Sequence, residues 1–197
     1  MEEQIVAAAL KQSPASPEQF SMRALARDLG VPVMTIYNYV ANKNGLYELV
    51  VNHLLGSVPV PPPDAGPWDE RMHQLMRAAR AALAPFPSVM MGRLGGSAIE
   101  ATRLSDGVLS ILAEGGFNDD EAVVAFATLF TFMLGQLELD AIIASAGGEP
   151  IAILESVTGA TPSRDEMFER GFDVVVQGLK TQFGHGRGGR PDRRTRR

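Results

Sequence analysis

The side chains best suited to contact another molecule gather in one short run near the N-terminus. Ser21, Arg23, Thr35, Tyr37, Asn38, Tyr39 and Lys43 bring hydroxyl, guanidinium, amide and ammonium groups together there. Such groups donate to phosphate oxygens or base edges and set register on a polymer; they are not a nucleophile with its base. Catalytic constellations are missing. His53, His73 and His185 are scattered, no H-x-x-x-H occurs and cysteine is absent, so no transition-metal site is expected. There is no G-x-S-x-G and no P-loop. Asp119 and Asp120 lie at a helix start, where the helix dipole accounts for paired acids. Gly184, Gly186 and Gly189 satisfy G-x-G-x-x-G with no strand before and no helix after, so a dinucleotide is not expected. Neither enzymatic activity nor a cofactor is predicted.

Charge restricts where a polyanion could bind. The formal charge is −5 over 197 residues. Residues 1 to 56 carry 4 basic and 5 acidic side chains, residues 57 to 183 carry 8 and 17, and residues 184 to 197 carry 6 and 1. Most of the surface therefore repels nucleic acid, and any binding must be local, through fixed contacts. The tail 184–197, six arginines among glycines, should be disordered and could add non-specific attraction. MEEQIVAAALKQ has acids where an export signal has positive charge, and the lack of cysteine suits a reducing compartment, so a cytoplasmic location is expected. The uncharged stretch Ala122 to Leu137 is shorter than the roughly 20 apolar residues that span a bilayer and reads as a buried helix, with no membrane partner.

The elements that position these residues are helical. No run alternates with a period of two between hairpin turns, so the fold class is all-α. Pro14 and Pro17 end a first apolar helix. Three short helices follow: Ser21 can cap the first, Leu25 and Leu29 share its face, Gly30 ends it, and Pro32 sits where the next begins. Ile36 and Val40, four apart, give that second helix a buried face and leave Val33, Met34, Thr35, Asn38 and Tyr39 for another surface. Residues 57–67 hold five prolines and form a stiff extended connector. Met72, Leu75, Met76, Ala79 and Leu83 place a helix after Trp68, up to Pro85 and Pro87; another runs from Leu104 to Ala113. Asn118 with Glu121, and Ser163 with Glu166, are capping signals opening long helices at about 121–145 and 164–183. The expected organisation is a helix-turn-helix domain (1–56), the connector (57–67), a larger helical ligand-binding and dimerisation domain (68–183) and the tail (184–197).

The run SMRALARDLGVPVMTIYNYVANKNGLYELV resembles the tetracycline-repressor (TetR) family of transcriptional regulators. Ala26, Gly30, Val31, Thr35, Ile36, Tyr37, Tyr39 and Lys43 fill that family's pattern. MFERGFDVVVQGLKTQF looks like the last helix of the tetracycline-repressor-like C-terminal subgroup. The resemblance implies that Ser21 and Arg23 touch phosphates, that Pro32, Val33, Met34, Thr35 and Asn38 face base edges, and that Thr35, Tyr37, Tyr39 and Lys43 hold the DNA backbone. The competing reading makes Tyr37 and Tyr39 core aromatics. Val33 and Met34 stand where polar residues are commoner in the family; they can pack on thymine methyls, which predicts an A·T-rich operator.

A small-molecule effector is expected in the second domain. Met72, Met76, Met90, Met91 and Met133 with Phe86, Phe126, Phe130, Phe132, Leu137 and Phe172 offer adaptable apolar lining, and His73, Gln136 and Glu138 polar anchors. Glu138 and Asp140 could instead be solvated or cap a neighbour. The acidic excess favours a neutral or cationic ligand. Together these readings predict a homodimeric repressor that binds a double-stranded, near-palindromic operator and is released by its effector. The alternative is an all-α ligand-binding or interaction protein that does not bind DNA.

Overall fold

The computed structural model describes residues 1–12, 21–84, 99–145, 159 and 163–183. They form α1 (Glu2–Gln12), α2 (Met22–Asp28), α3 (Val33–Tyr37), α4 (Lys43–Gly56), α5 (Trp68–Leu83), α6 (Ile99–Glu114), α7 (Asp119–Ser145) and α8 (Arg164–Phe183). One 3-10 turn, Pro63–Ala65, is the remaining element, and there is no strand among the described residues. Met90, Phe86 and the tail 184–197 lie outside them.

The first helices end where glycine and proline require. Ser21 Oγ accepts from the Ala24 amide at 3.1 Å and caps α2. Gly30 then takes φ +66°, and the Gly30 and Val31 amides close back onto the carbonyls of Arg27 (3.1 Å) and Ala26 (3.0 Å). This pair of bonds is a Schellman ending, which needs a residue tolerant of the left-handed region at its centre. Pro32 stays extended (ψ 143°), so α3 starts at Val33, one residue later than expected. It also ends early, at Tyr37. Val40 lies beyond the helix, but its amide still bonds to the Ile36 carbonyl at 3.1 Å, and both side chains are buried. Asn42 Oδ1 caps α4 by accepting from the Asn44 (2.9 Å) and Gly45 (3.0 Å) amides.

Apolar burial makes two clusters. Ile5, Val6, Leu25, Ile36, Leu46, Tyr47 and Val50 join α1 to α4. Met72, Leu75, Ile111, Leu129, Leu137, Phe168 and Phe172 join α5 to α8. Val51 and Leu54 of α4 pack against both, so α4 is shared between them.

The proline stretch is fixed between helices instead of running free. Val58 and Pro61 are buried. Nε and Nη2 of the buried Arg71 donate to the Pro61 carbonyl at 3.2 and 3.1 Å, and its Nη1 to Glu114. A Cβ on Gly107 would stand 2.8 Å from Val60, so α6 lies against the connector only because residue 107 has no side chain.

Both capping signals form reciprocal bonds. The Glu121 amide donates to Asn118 Oδ1 (3.0 Å) and the Asn118 amide to Glu121 Oε2 (2.9 Å); Ser163 and Glu166 do the same at 3.1 and 2.9 Å. In α7 the buried residues Ala122, Ala125, Leu129, Met133, Leu137 and Asp140 follow one face, while Val123, Val124 and Ile142 are exposed on others. The expectation of a buried helix is thus corrected: only one face is covered. By length and composition alone, residues 119–143 are also apolar enough to cross a bilayer.

Candidate nucleic-acid interface and buried polar seam

α3 is anchored by one side chain and shows most of the others. Ile36 is fully buried, whereas Met34 is 66%, Tyr37 41% and Tyr39 45% exposed. Pro32, Asn38 and Lys43 are exposed beside them, as are Ser21 and Arg23 at the start of α2, and Thr35 is half-buried. Neither tyrosine is a core aromatic. Val33 is half-buried and packs against the first cluster, so less of it is available to a partner than of Met34. The surface contains hydroxyl, amide, guanidinium and ammonium donors around one apolar tip, the chemistry of backbone contact combined with thymine recognition.

The second cluster contains a polar seam between α5, α7 and α8. α5 and α8 run antiparallel, and their facing residues pair in sequence: Asp69 with Lys180, His73 Nε2 with Asp173 Oδ1 (3.2 Å), Arg77 Nε with Glu169 Oε1 (2.6 Å), and Arg80 Nη1 with Asp165 Oδ1 (2.8 Å). Arg80 also reaches α7, giving Nε and Nη2 to Asp140 Oδ2 at 3.0 and 2.9 Å, and its guanidinium lies 4.8 Å from the centre of the Phe168 ring. The hydrogen bond from Arg77 holds the Glu169 carboxyl below its ordinary range against the opposing effect of burial. For Asp69 burial acts upward, and the Lys180 hydrogen bond and charge outweigh it.

Phe132, Phe168 and Phe172 form an aromatic group beside this ladder, with centroids 5.7 to 5.8 Å apart, and the His73 ring meets Phe172 edge-on at 4.6 Å. Within the seam three buried atoms have no partner in the protein: His73 Nδ1, Gln136 Oε1 and Asp140 Oδ1. Each such orphan costs about 1–3 kcal/mol.

Of the expected ligand-site residues, His73, Gln136 and Phe172 therefore fall in or beside the seam, and Met76, Met133 and Leu137 are buried in the same cluster. Phe126 and Phe130 stack on each other at 5.8 Å, off the face of α7 that carries Gln136. Asp140 is neither solvated nor a cap; it is 8% exposed and ion-paired. Asp140, Arg80 and Phe168 were not singled out from sequence as ligand contacts. The available signal was the spacing Phe132, Gln136, Asp140, which puts an amide and an acid on the face of an otherwise apolar helix.

The family described as "Tetracyclin repressor-like, C-terminal domain" matches residues 60–151. A possible TetR family transcriptional regulator from Streptomyces coelicolor A3(2) superposes with a TM-score of 0.78 at 27% identity, covering 92% of this chain and 100% of that one. Residues 60–151 thus match the tetracyclin repressor-like C-terminal domain, and the chain as a whole takes a TetR-like fold. Two further TetR-like structures share its fold. ActR of Streptomyces coelicolor, solved with actinorhodin, has TM-score 0.75 and 22% identity over 94% of this chain and 97% of that one. BioQ, solved with its double-stranded DNA operator, has TM-score 0.69 and 23% identity over 91% and 97%. No curated protein matches the chain. The all-α TetR fold places the exposed α3 in the N-terminal part and the polar seam in the C-terminal part, and it points to a regulator.

Proposed function

We propose that this chain is a TetR-type repressor that binds a near-palindromic operator as a homodimer and lets go when a small molecule enters its C-terminal helices. The observation that carries the reading is the exposure of Met34, Tyr37 and Tyr39 around a fully buried Ile36, a helix built to present one surface outward. In this reading α3 enters a major groove about 12 Å wide. Met34, Asn38 and Val33 face bases, while Thr35, Tyr37, Tyr39, Lys43, Ser21 and Arg23 hold phosphates. Residues 1–56 bind DNA, and residues 68–183 bind the effector and the second copy. The operator-bound BioQ and the actinorhodin-bound ActR support both halves by likeness of fold. Two recognition helices on a dimer would reach successive major grooves about 34 Å apart.

The test is a titration of purified protein into its own upstream promoter fragment with excess unrelated DNA, from about 50 to 200 mM salt. A competitor-resistant complex of one dimer per palindrome is expected. Affinity no greater than for unrelated DNA, repeated after selection from random sequence, would favour the second reading, a ligand-binding protein without DNA binding. The weak charge of residues 1–56 is the observation on its side.

A further inference from the structure

The unpartnered atoms of the seam form a pattern. On α7, Phe132, Gln136 and Asp140 are spaced four apart and so share one stripe. Its ends are located by contacts: Phe132 meets Phe168 and Phe172 of α8, and Asp140 meets Arg80 of α5. Gln136, one turn from each, lies between them. α5 and α7 both run antiparallel to α8 and hence parallel to each other. With Arg80 opposite Asp140, two turns back along α5 put His73 at the level of Phe132 and Met133, where it touches Phe172. The three orphans therefore lie along a single seam.

Their chemistry is one-sided. Asp140 Oδ1 and Gln136 Oε1 are acceptors. His73 Nε2 faces the Asp173 carboxylate, and Nδ1 is the third unpartnered atom. The cations nearby are already engaged: the guanidinium groups of Arg77 and Arg80 pair with three carboxylates, those of Glu169, Asp140 and Asp165. With its cations already neutralised, such a site disfavours an anion. Resting on the reading of the chain as a ligand-responsive regulator, we infer that the seam takes the effector and that the effector is an aromatic molecule, uncharged or cationic, with at least two hydrogen-bond donors about 6 Å apart, one helical turn. The phenylalanine rings receive its flat body and the acceptors its donors.

The probes are four phenols that differ only at the far end: tyrosol (hydroxyl), tyramine (ammonium), 4-ethylphenol (no donor) and 4-hydroxyphenylacetate (carboxylate). Calorimetry and thermal shift on the full chain should show tyrosol and tyramine binding about 10-fold more tightly than 4-ethylphenol, and the carboxylate not at all. Gln136→Leu should fold with undiminished stability, because Oε1 accepts no bond from the protein itself, and should bring tyrosol down to the affinity of 4-ethylphenol. Binding of the carboxylate as tight as that of tyrosol, no binding by any of the four, or a Gln136→Leu chain less stable than the parent would overturn the assignment. The operator titration needs no ligand, so the readings separate. DNA binding without probe binding removes the seam assignment alone; probe binding without DNA binding removes the regulator and leaves the seam as a ligand site.

Discussion

Arg103 of α6 and Leu55 of α4 are tied by a hydrogen bond that crosses from one part of the chain to the other. Nη2 of Arg103 donates to the Leu55 carbonyl at 2.9 Å, and also to the carbonyl of Val58 at 2.9 Å. The last carbonyls of a helix lack partners within it, and a cation there also opposes the negative end of the dipole. Arg103 thereby fixes the end of α4, the helix whose Leu46, Tyr47 and Val50 share a buried cluster with Ile36 of α3.

Replacing Arg103 with Met should cost about 1–3 kcal/mol, since two carbonyls lose a charged donor while the side-chain bulk remains. Amide exchange at Ser57 and Val58, which bond to Leu54 and Leu55, should accelerate. If α4 relays effector binding to α3, the variant should bind DNA and effector separately within about 3-fold of the parent, yet show a smaller effector-driven loss of operator affinity than the roughly 5- to 150-fold typical of such coupling. An unchanged coupling factor would assign Arg103 to stability alone.

The α5–α8 ladder makes stability depend on acid pH. Glu169 is held below its ordinary value of 4.5 by Arg77, and Asp69 is lowered by Lys180 despite burial. As pH falls below that range, the unfolded chain takes up protons that the folded chain still refuses, so the contribution is full above the unfolded value and is lost as pH drops through the folded one. Urea midpoints should stay level from about pH 7 to 5 and decline below about 4.5. Arg77→Gln should decline less steeply over that window. Identical slopes would show that other carboxylates carry the effect.

The all-α class, the glycine ending of α2, both capping boxes and the buried faces of α5 and α6 were legible in sequence because each rests on local backbone chemistry or on a 3.6-residue period. What escaped were contacts between distant segments. Pro61 and Val58 look like linker until Arg71, 10 residues beyond Pro61, and Arg103, 45 beyond Val58, close on their carbonyls. Asp140 looks solvated until Arg80 is brought opposite it. Periodicity does not decide between core and interface for Tyr37 and Tyr39, because a five-residue helix has too few positions to show which side faces out.

Contacts to the DNA backbone and contacts to bases should respond differently to substitution. Lys43→Ala should weaken binding to every sequence by a similar factor and reduce the salt slope by about 1, while Tyr37→Phe removes one hydroxyl donor with the fold intact. Met34→Arg should instead change which sequences are preferred, because a guanidinium pairs with the acceptors of guanine whereas a thioether chain packs on the methyl of thymine. Selection from random DNA should return A·T-rich half-sites for the parent and a G·C step at the contacted position for the variant. G·C-rich sites for the parent would remove Met34 from the groove.

The face of α8 away from the core should be where two copies meet. Val174 is 72% exposed, on the side opposite Phe168, Phe172 and Val176, and Val123, Val124 and Ile142 add exposed apolar surface on α7. Isolated apolar residues are ordinary on a protein surface, but these lie on the two longest helices, the elements able to pair over an extended length in a four-helix arrangement. A symmetric contact places Val174 near its own copy or that of a neighbour, so Val174→Glu buries like charges together and should dissociate the dimer in sedimentation experiments. The side chain makes no buried contact within the chain, so helix content and thermal midpoint at low concentration should change little. Loss of the dimer should also convert full-operator binding into weak half-site binding, since each copy carries one α3. A Val174→Glu chain that stays dimeric would move the contact to α7, where Val124→Glu would then be the variant that separates the copies.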